Sequence, residues 1–453
     1  MPAPTANRSA ATAPVVAAAP SYRRYVLWVL LTINFLAFLD RQILNILAEP
    51  IKRELALTDT ELGLLTGLAF AFLYTLLGLP VARLAERANR VRIIGASLAV
   101  WSTFTAACGF ASNYAHLVLA RVGVGVGEAG FSPASHSLLS DYFPRGERAS
   151  ALGIYSMGVP LGTMAGLAFG GLIADAYGWR VAMLVAGGPG LAVALLTLLT
   201  LRETRTRMAA DRRRIADAAP GLGQAMRELA GKRAFWWVAL AASASAFLAY
   251  GHQAFYASFF LRNHAVGVAD LAHTVGGGSL KAAGFLGIAL GLIMGIGGLI
   301  GALLGGRMSD HYARTDPRMS VLLPAGAFLL SLPITLLAFF VPYTTVALLL
   351  LGPVILLKTF WYGPIFATVQ NVVQPRTRAT AAAILLGMMS LVGLGLGPVT
   401  VGIISDAFAR TFGPAEGLRW ALAVTALVSL VPPACLWMAS RTLAEEIVDD
   451  GAG

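Results

Sequence analysis

Three charged residues stand where charge is hard to accommodate. Arg121 and Glu128 bound the stretch Arg121-Val-Gly-Val-Gly-Val-Gly-Glu128, inside an apolar run from about 114 to 139, and Asp40 lies in an earlier apolar run, 25–47. Seven residues are almost two α-helical turns, so Arg121 and Glu128 share one helix face, roughly 10 Å apart along the axis. A charge near a bilayer centre is destabilising by a few kcal/mol even on lenient insertion scales, so each should face a partner or a watery cavity. An acid removed from water favours its neutral form, and a nearby guanidinium favours the carboxylate. Acids and an arginine so placed suit proton binding. The plainer alternative is an ion pair that only locks helices together. The three intervening glycines, with Gly130 beyond, strip this helix of bulk and let another helix or a bound molecule come close.

Such residues need a membrane around them. Of 453 residues, 57% are hydrophobic and 13% charged, and the mean hydropathy is +0.71, whereas a soluble domain carries about a quarter charged residues. The net charge of +11 is explained by basic loops on one membrane face, with no need of nucleic acid. Apolar runs of spanning length, about 20 residues, lie at 25–47, 61–82, 93–111, 114–139, 149–174 and 180–201, then at 234–261, 283–307, 319–341, 344–367, 377–404 and 416–439. With both termini inside, 24 of the 34 basic residues fall in inside segments and 7 in outer loops, while Arg41, Arg121 and Lys358 lie within spans. That bias sets both termini in the cytoplasm.

The expected architecture is all-α: twelve transmembrane helices in two six-helix bundles, 25–201 and 234–440. A disordered tail, 1–24, precedes them and a second tail, 441–453, follows. The basic linker 202–233, with Arg212-Arg213-Arg214, suits either an amphipathic helix on anionic headgroups or a soluble tether. The Ala-rich residues near 15–19 lack an apolar core and are followed by Arg23 and Arg24, so the first span is expected to be its own insertion signal. Cys108 and Cys435 lie in apolar runs and build no disulfide framework, metal site or redox motif.

The halves repeat. Ala82-Arg83-Leu84-Ala85-Glu86-Arg87-Ala88-Asn89-Arg90 follows the second span, and Gly306-Arg307-Met308-Ser309-Asp310-His311-Tyr312-Ala313-Arg314 follows the eighth. Each places a small residue, an acid four positions on, then bases; parallel six-helix repeats are one transporter plan. On these residues the chain resembles the major facilitator superfamily over its whole length. That family's signature between helices 2 and 3 is roughly Gly-x-x-x-Asp-Arg-x-Gly-Arg-Arg. Here Ala82, Glu86 and Asn89 stand for the first Gly, the Asp and the second Gly, with Arg87, Arg90 and Arg92 as the bases. Gly158-Val-Pro160-Leu-Gly162, with Gly166 and Gly170, is similar to the glycine–proline motif of the family's proton-driven exporters. Phe38-Leu39-Asp40-Arg41-Gln42, the Arg121 to Ala129 stretch, Asp141-Tyr142-Phe143-Pro144, Gly363-Pro364 and Gln370-Asn371 together resemble the spinster subfamily, its bacterial members in particular. Spinster-like proteins are associated with export of sphingosine phosphate and with movement of lysophospholipids in animals.

Asp40 lies about 22 Å into its span and Arg121 about 10 Å into an oppositely directed one, so both sit slightly outside the midplane, with Glu128 near the middle. The resemblance implies that helices 1 and 4 line a central cavity. Asp40 and Glu128 are then expected to be proton carriers, with Arg121 tuning them by leaning toward either. Arg41 points about 100° from its neighbour Asp40 and is grouped with substrate. Lys358 needs an anion, and a substrate headgroup, a structural carboxylate or snorkelling to the inner face would each serve. His252 and Gln253, between Tyr250 and Tyr256, offer hydrogen bonds to substrate or to packing partners. Tyr74, Trp361 and Tyr362 either line the cavity or pack. Glu86, Arg87, Arg90, Asp310 and Arg314 read as a cytoplasmic gate whose salt bridges form in the outward-open state.

The leading expectation is a proton-driven exporter of an anionic, lipid-like amphiphile, working by alternating access in the inner membrane as a monomer. The alternatives are a proton symporter for a small organic anion and, from another class, a scaffold or sensor without transport, against which the in-span charges count. No metal cluster, nucleophile motif or phosphate loop points to an enzyme. No cofactor beyond the proton gradient is expected. The expected partners are substrate, protons and membrane lipids, without nucleic acid.

Overall fold

The computed structural model describes residues 19–204, 222–374 and 377–448, and every regular element among them is helical. A backbone in lipid must satisfy its own polar groups, which for these apolar runs means helices. The amino-terminal bundle comprises α1 (Pro20–Leu55), α2 (Asp59–Gly63, Leu64–Leu68 and Ala69–Arg87, one rod with a π-helical middle), α3 (Arg90–Cys108), α4 (Tyr114–Glu128 and Phe131–Tyr142), α5 (Arg145–Ser156 and Gly158–Tyr177) and α6 (Trp179–Thr200). The second bundle comprises α7 (Arg233–Asn263), α8 (Ala282–Ala313), α9 (Met319–Phe340) and α10 (Thr344–Thr359 and Tyr362–Val372). It is completed by α11 (Arg378–Met388, π-helical Met389–Leu396 and the first part of Gly397–Ala426) and α12, the remainder through Leu427–Leu430 to Val431–Glu446.

Among the described residues, ten segments are long and apolar enough to cross a membrane. The longest, Thr380–Glu446, makes two passes because Gly413 (φ 81°, ψ 166°) breaks it. The broken α4 supplies the twelfth pass.

Tyr22 Oη donates to the Thr200 carbonyl (2.9 Å) and Lys232 Nζ to that of Glu446 (2.9 Å). The chain's beginning, the junction of the bundles and the last helix therefore share one end, the terminal end. At the opposite, closed end one core holds residues of both bundles, among them Leu47, Leu62, Leu167, Phe255, Phe259, Leu286 and Val401. Toward the terminal end the buried cores separate, Ile94, Trp101 and Leu138 in one bundle and Phe235, Leu385 and Leu436 in the other. The two bundles form a V whose mouth is at the terminal end.

Several boundaries differ from expectation. α1 starts at Pro20, inside the stretch 1–24 expected to be tail, and runs to Leu55, so Lys52 and Arg53 occupy its last turn and not a loop. α4, α5 and α10 are each broken where one helix was expected, near Gly130, Gly158 and Phe360. Arg212 to Arg214 lie outside the described residues. The linker's end, Leu222–Ala230, is helical and docks on the second bundle: Ala225 and Leu229 are buried, and the Glu228 carboxylate accepts from Gln374 N (3.0 Å) and Thr377 Oγ1 (2.6 Å). Protein contacts hold this part. α12 continues to Glu446, past the expected limit at 440.

Candidate functional site: charges at the apex of the V

Glu128 ends the first half of α4 and is fully buried. A helix C-terminus disfavours an anion, and a guanidinium from α1 compensates. Arg41 Nε donates to Glu128 Oε2 (2.7 Å) and Nη2 reaches the same oxygen at 2.5 Å, leaving Oε1 unpartnered. The Arg41 guanidinium also lies 5.1, 4.9 and 5.0 Å from the ring centres of Phe38, Phe70 and Tyr74, within cation–π range. Asp40 is 2% exposed; one carboxylate oxygen accepts from Thr105 Oγ1 (3.1 Å) and the other has no partner.

Arg121 differs from expectation. It is 3% exposed, stands 5.3 Å over Phe70 and has an unpartnered Nε, and it forms no ion pair with a carboxylate of a described residue. Asp40, Glu128 and Arg121 nevertheless lie within electrostatic range of one another. The three charges converge as their depths imply, but the arginine that holds Glu128 is Arg41. Depth along a helix does not give the direction a side chain takes around it.

The α4 glycines serve helix packing. A Cβ on Gly125 would stand 2.6 Å from the Phe70 carbonyl, and one on Gly127 2.5 Å from Trp101 N. α4 therefore lies directly against α2 and α3, and this brings Glu128 and Arg121 to the centre.

At the apex a cavity of about 30 Å³ is walled by Arg41, Gln42, Phe70 and Arg121 from one bundle and Tyr250 and Gln253 from the other, room for a water or two. Gln253 Nε2 donates to Gln42 Oε1 (2.8 Å) across the bundles. Its neighbour His252, one helical step round, turns instead into its own bundle and meets Thr425 and Lys358. Among the described residues no carboxylate pairs with Lys358, and at 5% exposure it does not snorkel to the surface. Tyr362 is half exposed yet within electrostatic range of Tyr250 of its own bundle and of Tyr74 and Arg41 of the other, so it faces the latter two across the mouth of the V. Trp361, at 4% exposure, packs in the core behind it.

Above the apex, two contacts shut the closed end, and composition did not reveal them. In the first, α11 meets α2. Asp406 accepts from Asp59 N (3.0 Å), Thr60 N (2.8 Å) and Thr60 Oγ1 (2.6 Å), capping the α2 N-terminus. A Cβ on Gly402 would lie 2.2 Å from the Asp59 carbonyl, one on Gly63 2.3 Å from that of Pro398, and one on Gly67 2.7 Å from that of Leu394. In the second, α5 meets α8. Asp175 accepts from Gly284 N (2.6 Å), and a Cβ on Gly171, Gly287 or Gly291 would lie 2.2, 2.2 or 2.9 Å from the carbonyls of Ala283, Leu167 or Met164. Gly171-x-x-x-Asp175 and Gly402-x-x-x-Asp406 occupy matching places in the two halves.

Among the described residues, only the first contact carries an ion network. Asp59, 1% exposed, accepts from Arg262 Nη1 and Nη2 (both 2.8 Å), Lys52 (2.5 Å) and Ser405 (2.6 Å), and Arg262 Nε also donates to Glu49 (2.8 Å). At the terminal end, Asp310 and Arg314 are exposed, and the side chains of Glu86 and Arg87 lie outside the described ones. Arg90, expected at the gate, is fully buried within its own bundle, paired with Asp141 (2.8 Å) and Glu203 (2.6 Å) and bonded to Thr204 (2.7 Å). It ties α3 to the end of α4 and to the chain after α6.

The family model of the Major Facilitator Superfamily matches residues 30–398. An MFS-type efflux pump of Mycolicibacterium smegmatis is 31% identical over 93% of this chain and 94% of that one. Protein spinster homolog 1 of Homo sapiens is 28% identical over 90% of this chain and 79% of that protein. Among solved structures, a bacterial homolog of the human lysosomal transporter spinster, inward-facing and unoccupied, superposes with a TM-score of 0.83 at 31% identity, covering 96% of this chain and all of that one. The occupied form of that homolog gives 0.81.

Proposed function

The chain belongs to the major facilitator superfamily, in its spinster-like branch, and from that premise we propose that it is a proton-coupled exporter of an anionic, lipid-like amphiphile. Family and fold make it a multi-pass membrane transporter, consistent with alternating access. The observation that carries the finer reading is Arg121: a buried guanidinium at the apex of an open V, beside Arg41, with no carboxylate of a described residue paired to it. An anionic headgroup would complete it, and the aromatic rings of Phe70, Tyr74, Tyr250 and Tyr362 would meet the apolar part. With both termini cytoplasmic, as the basic-residue bias supports, the V opens inward in the inner membrane.

Asp40 and Glu128 are the proposed proton carriers. An empty site holding two buried carboxylates reorients more readily once they are protonated, so the proton drives the return stroke. Arg41, Tyr74 and Tyr362 contact substrate in this reading. Gln253 acts as an apex contact, and His252, Lys358 and Trp361 lie outside the site. The transporter works as a monomer and draws on the proton gradient alone.

A second reading, proton–anion symport, is favoured by the Arg41–Glu128 pair. Protonating Glu128 frees Arg41 for an anion, so proton and anion would assist each other's binding. Proteoliposomes distinguish the two with a panel of lysophospholipids, sphingoid phosphates and small organic acids. An inside-acid gradient accelerates uptake by an antiporter, and an outside-acid gradient accelerates it for a symporter. Either dependence should vanish in Glu128→Gln and Asp40→Asn. Gradient-driven uptake undiminished in both variants would sink the coupling assignment.

A further inference from the structure

A second cluster of titratable groups lies in the carboxyl-terminal bundle, away from the apex cavity. Lys358 is the penultimate residue of the first half of α10 and is 5% exposed. Its Nζ stands 3.3 Å from Nδ1 of His252, itself 1% exposed on α7. His252 Nε2 lies 3.0 Å from Thr425 Oγ1 on α12, and that hydroxyl donates to the Ala421 carbonyl (2.7 Å). With its proton committed to the backbone, Thr425 can only accept. The imidazole therefore carries its hydrogen on Nε2 and offers the Nδ1 lone pair to Lys358.

The surroundings supply no counter-charge. Phe339 of α9 stands edge-on to the imidazole at 5.7 Å, and Tyr256 of α7, the titratable neighbour, at 6.1 Å. No carboxylate of a described residue pairs with Lys358. An ammonium in such a place is balanced by no anion, but it can lose its proton without breaking the chain of hydrogen bonds. As –NH3+ it donates to Nδ1, and as –NH2 it still can.

We propose that Lys358 and His252, oriented by Thr425, form a proton-binding site in the carboxyl-terminal bundle, separate from the carboxylates of the other bundle. The site takes up one proton on the Lys358 amine and releases it with no other bond made or broken. It is placed to act on the contact between bundles. His252 precedes Gln253, which bonds Gln42 across the apex, and Lys358 borders the break in α10 at Phe360.

The test reads the proton directly and does not depend on which residues carry the transported one. Full-length protein labelled with 15N-histidine is studied in detergent, and the His252 ring signals are assigned by their loss in His252→Gln. The Nδ1 resonance should move along a single-proton curve as the pH is raised from about 6 to about 11, just past the ordinary lysine value, whether the counter-ion is chloride or gluconate. Lys358→Met, close in length and without charge, should abolish the movement, and Lys358→Arg should hold the resonance at its low-pH position throughout. A resonance that stays flat in the native protein overturns the proposal. So does a curve that survives in Lys358→Met, or one that shifts with the anion, which would mark an anion site.

Discussion

The two contacts that shut the closed end share a plan and differ in chemistry. Each sets a Gly-x-x-x-Asp turn of one helix against the glycine-bearing N-terminus of another, backbone on backbone, with the aspartate capping the partner helix. Between α5 and α8 little else is polar: Lys281 reaches only the Asp175 carbonyl (2.8 Å). The α5–α8 contact continues inward through Gly295 against Pro160 and Met164. Between α2 and α11 the same frame is overlaid by Asp59, Arg262, Glu49 and Lys52. Glycine-on-backbone packing changes little in energy as helices roll, whereas a buried ion network is either made or broken. The α5–α8 contact is thereby suited to act as a hinge and the α2–α11 contact as a latch.

Substitutions can break or sharpen that distinction, read out at Asn45, which lines the apex cavity, as the labelling rate of an Asn45→Cys probe by a membrane-impermeant thiol reagent applied from the closed end, with Cys108 and Cys435 replaced by serine. The largest effect is expected from Gly402→Leu, whose side chain would enter the Asp59 backbone at the latch, so labelling should rise by about 100-fold or more, a bias of roughly 3 kcal/mol or more toward the open form. Gly171→Leu, at the hinge, should raise it less. Next comes Arg262→Ala, which leaves Asp59 to Lys52 and Ser405 and Glu49 to Arg53 and weakens closure by about 1–3 kcal/mol. Glu49→Gln in the same chain should recover part of it.

Asp406→Ala and Asp175→Ala each remove a helix cap, about 1 kcal/mol. The first should have the larger effect because the Thr60 hydroxyl is stranded too. Lys281→Ala, at an exposed bond, should change closure by less than about 0.5 kcal/mol. Equal effects of Arg262→Ala and Lys281→Ala would remove the difference between latch and hinge.

Spans, halves and the convergence of Asp40, Arg121 and Glu128 were legible because hydropathy, repeat and depth are properties of a helix taken alone. The pairing of Arg41 with Glu128 was not, since it depends on how α1 is rotated against α4. The latch was hidden for a similar reason. Asp59 and Arg262 stand at span ends 203 residues apart, where charges ordinarily meet water and serve only to orient the chain. A signal did exist in the matched Gly171–Asp175 and Gly402–Asp406 spacings, and in Thr58 and Glu61, which form a capping box at the start of α2. The cytoplasmic signature was recognised, but its Arg90 staples one bundle internally. A charge motif marks helix ends without saying which neighbour is held.

The two halves also differ in how this packing ends. On α5, Gly291 of α8 rests on one residue, Met164, whereas on α11 a Cβ on Gly67 of α2 would meet two successive carbonyls, those of Leu394 (2.7 Å) and Gly395 (3.0 Å), inside the π-helical Met389–Leu396. A wider turn spreads one contact over two neighbouring residues. A slip of one residue along α11 would therefore leave a carbonyl still facing Gly67.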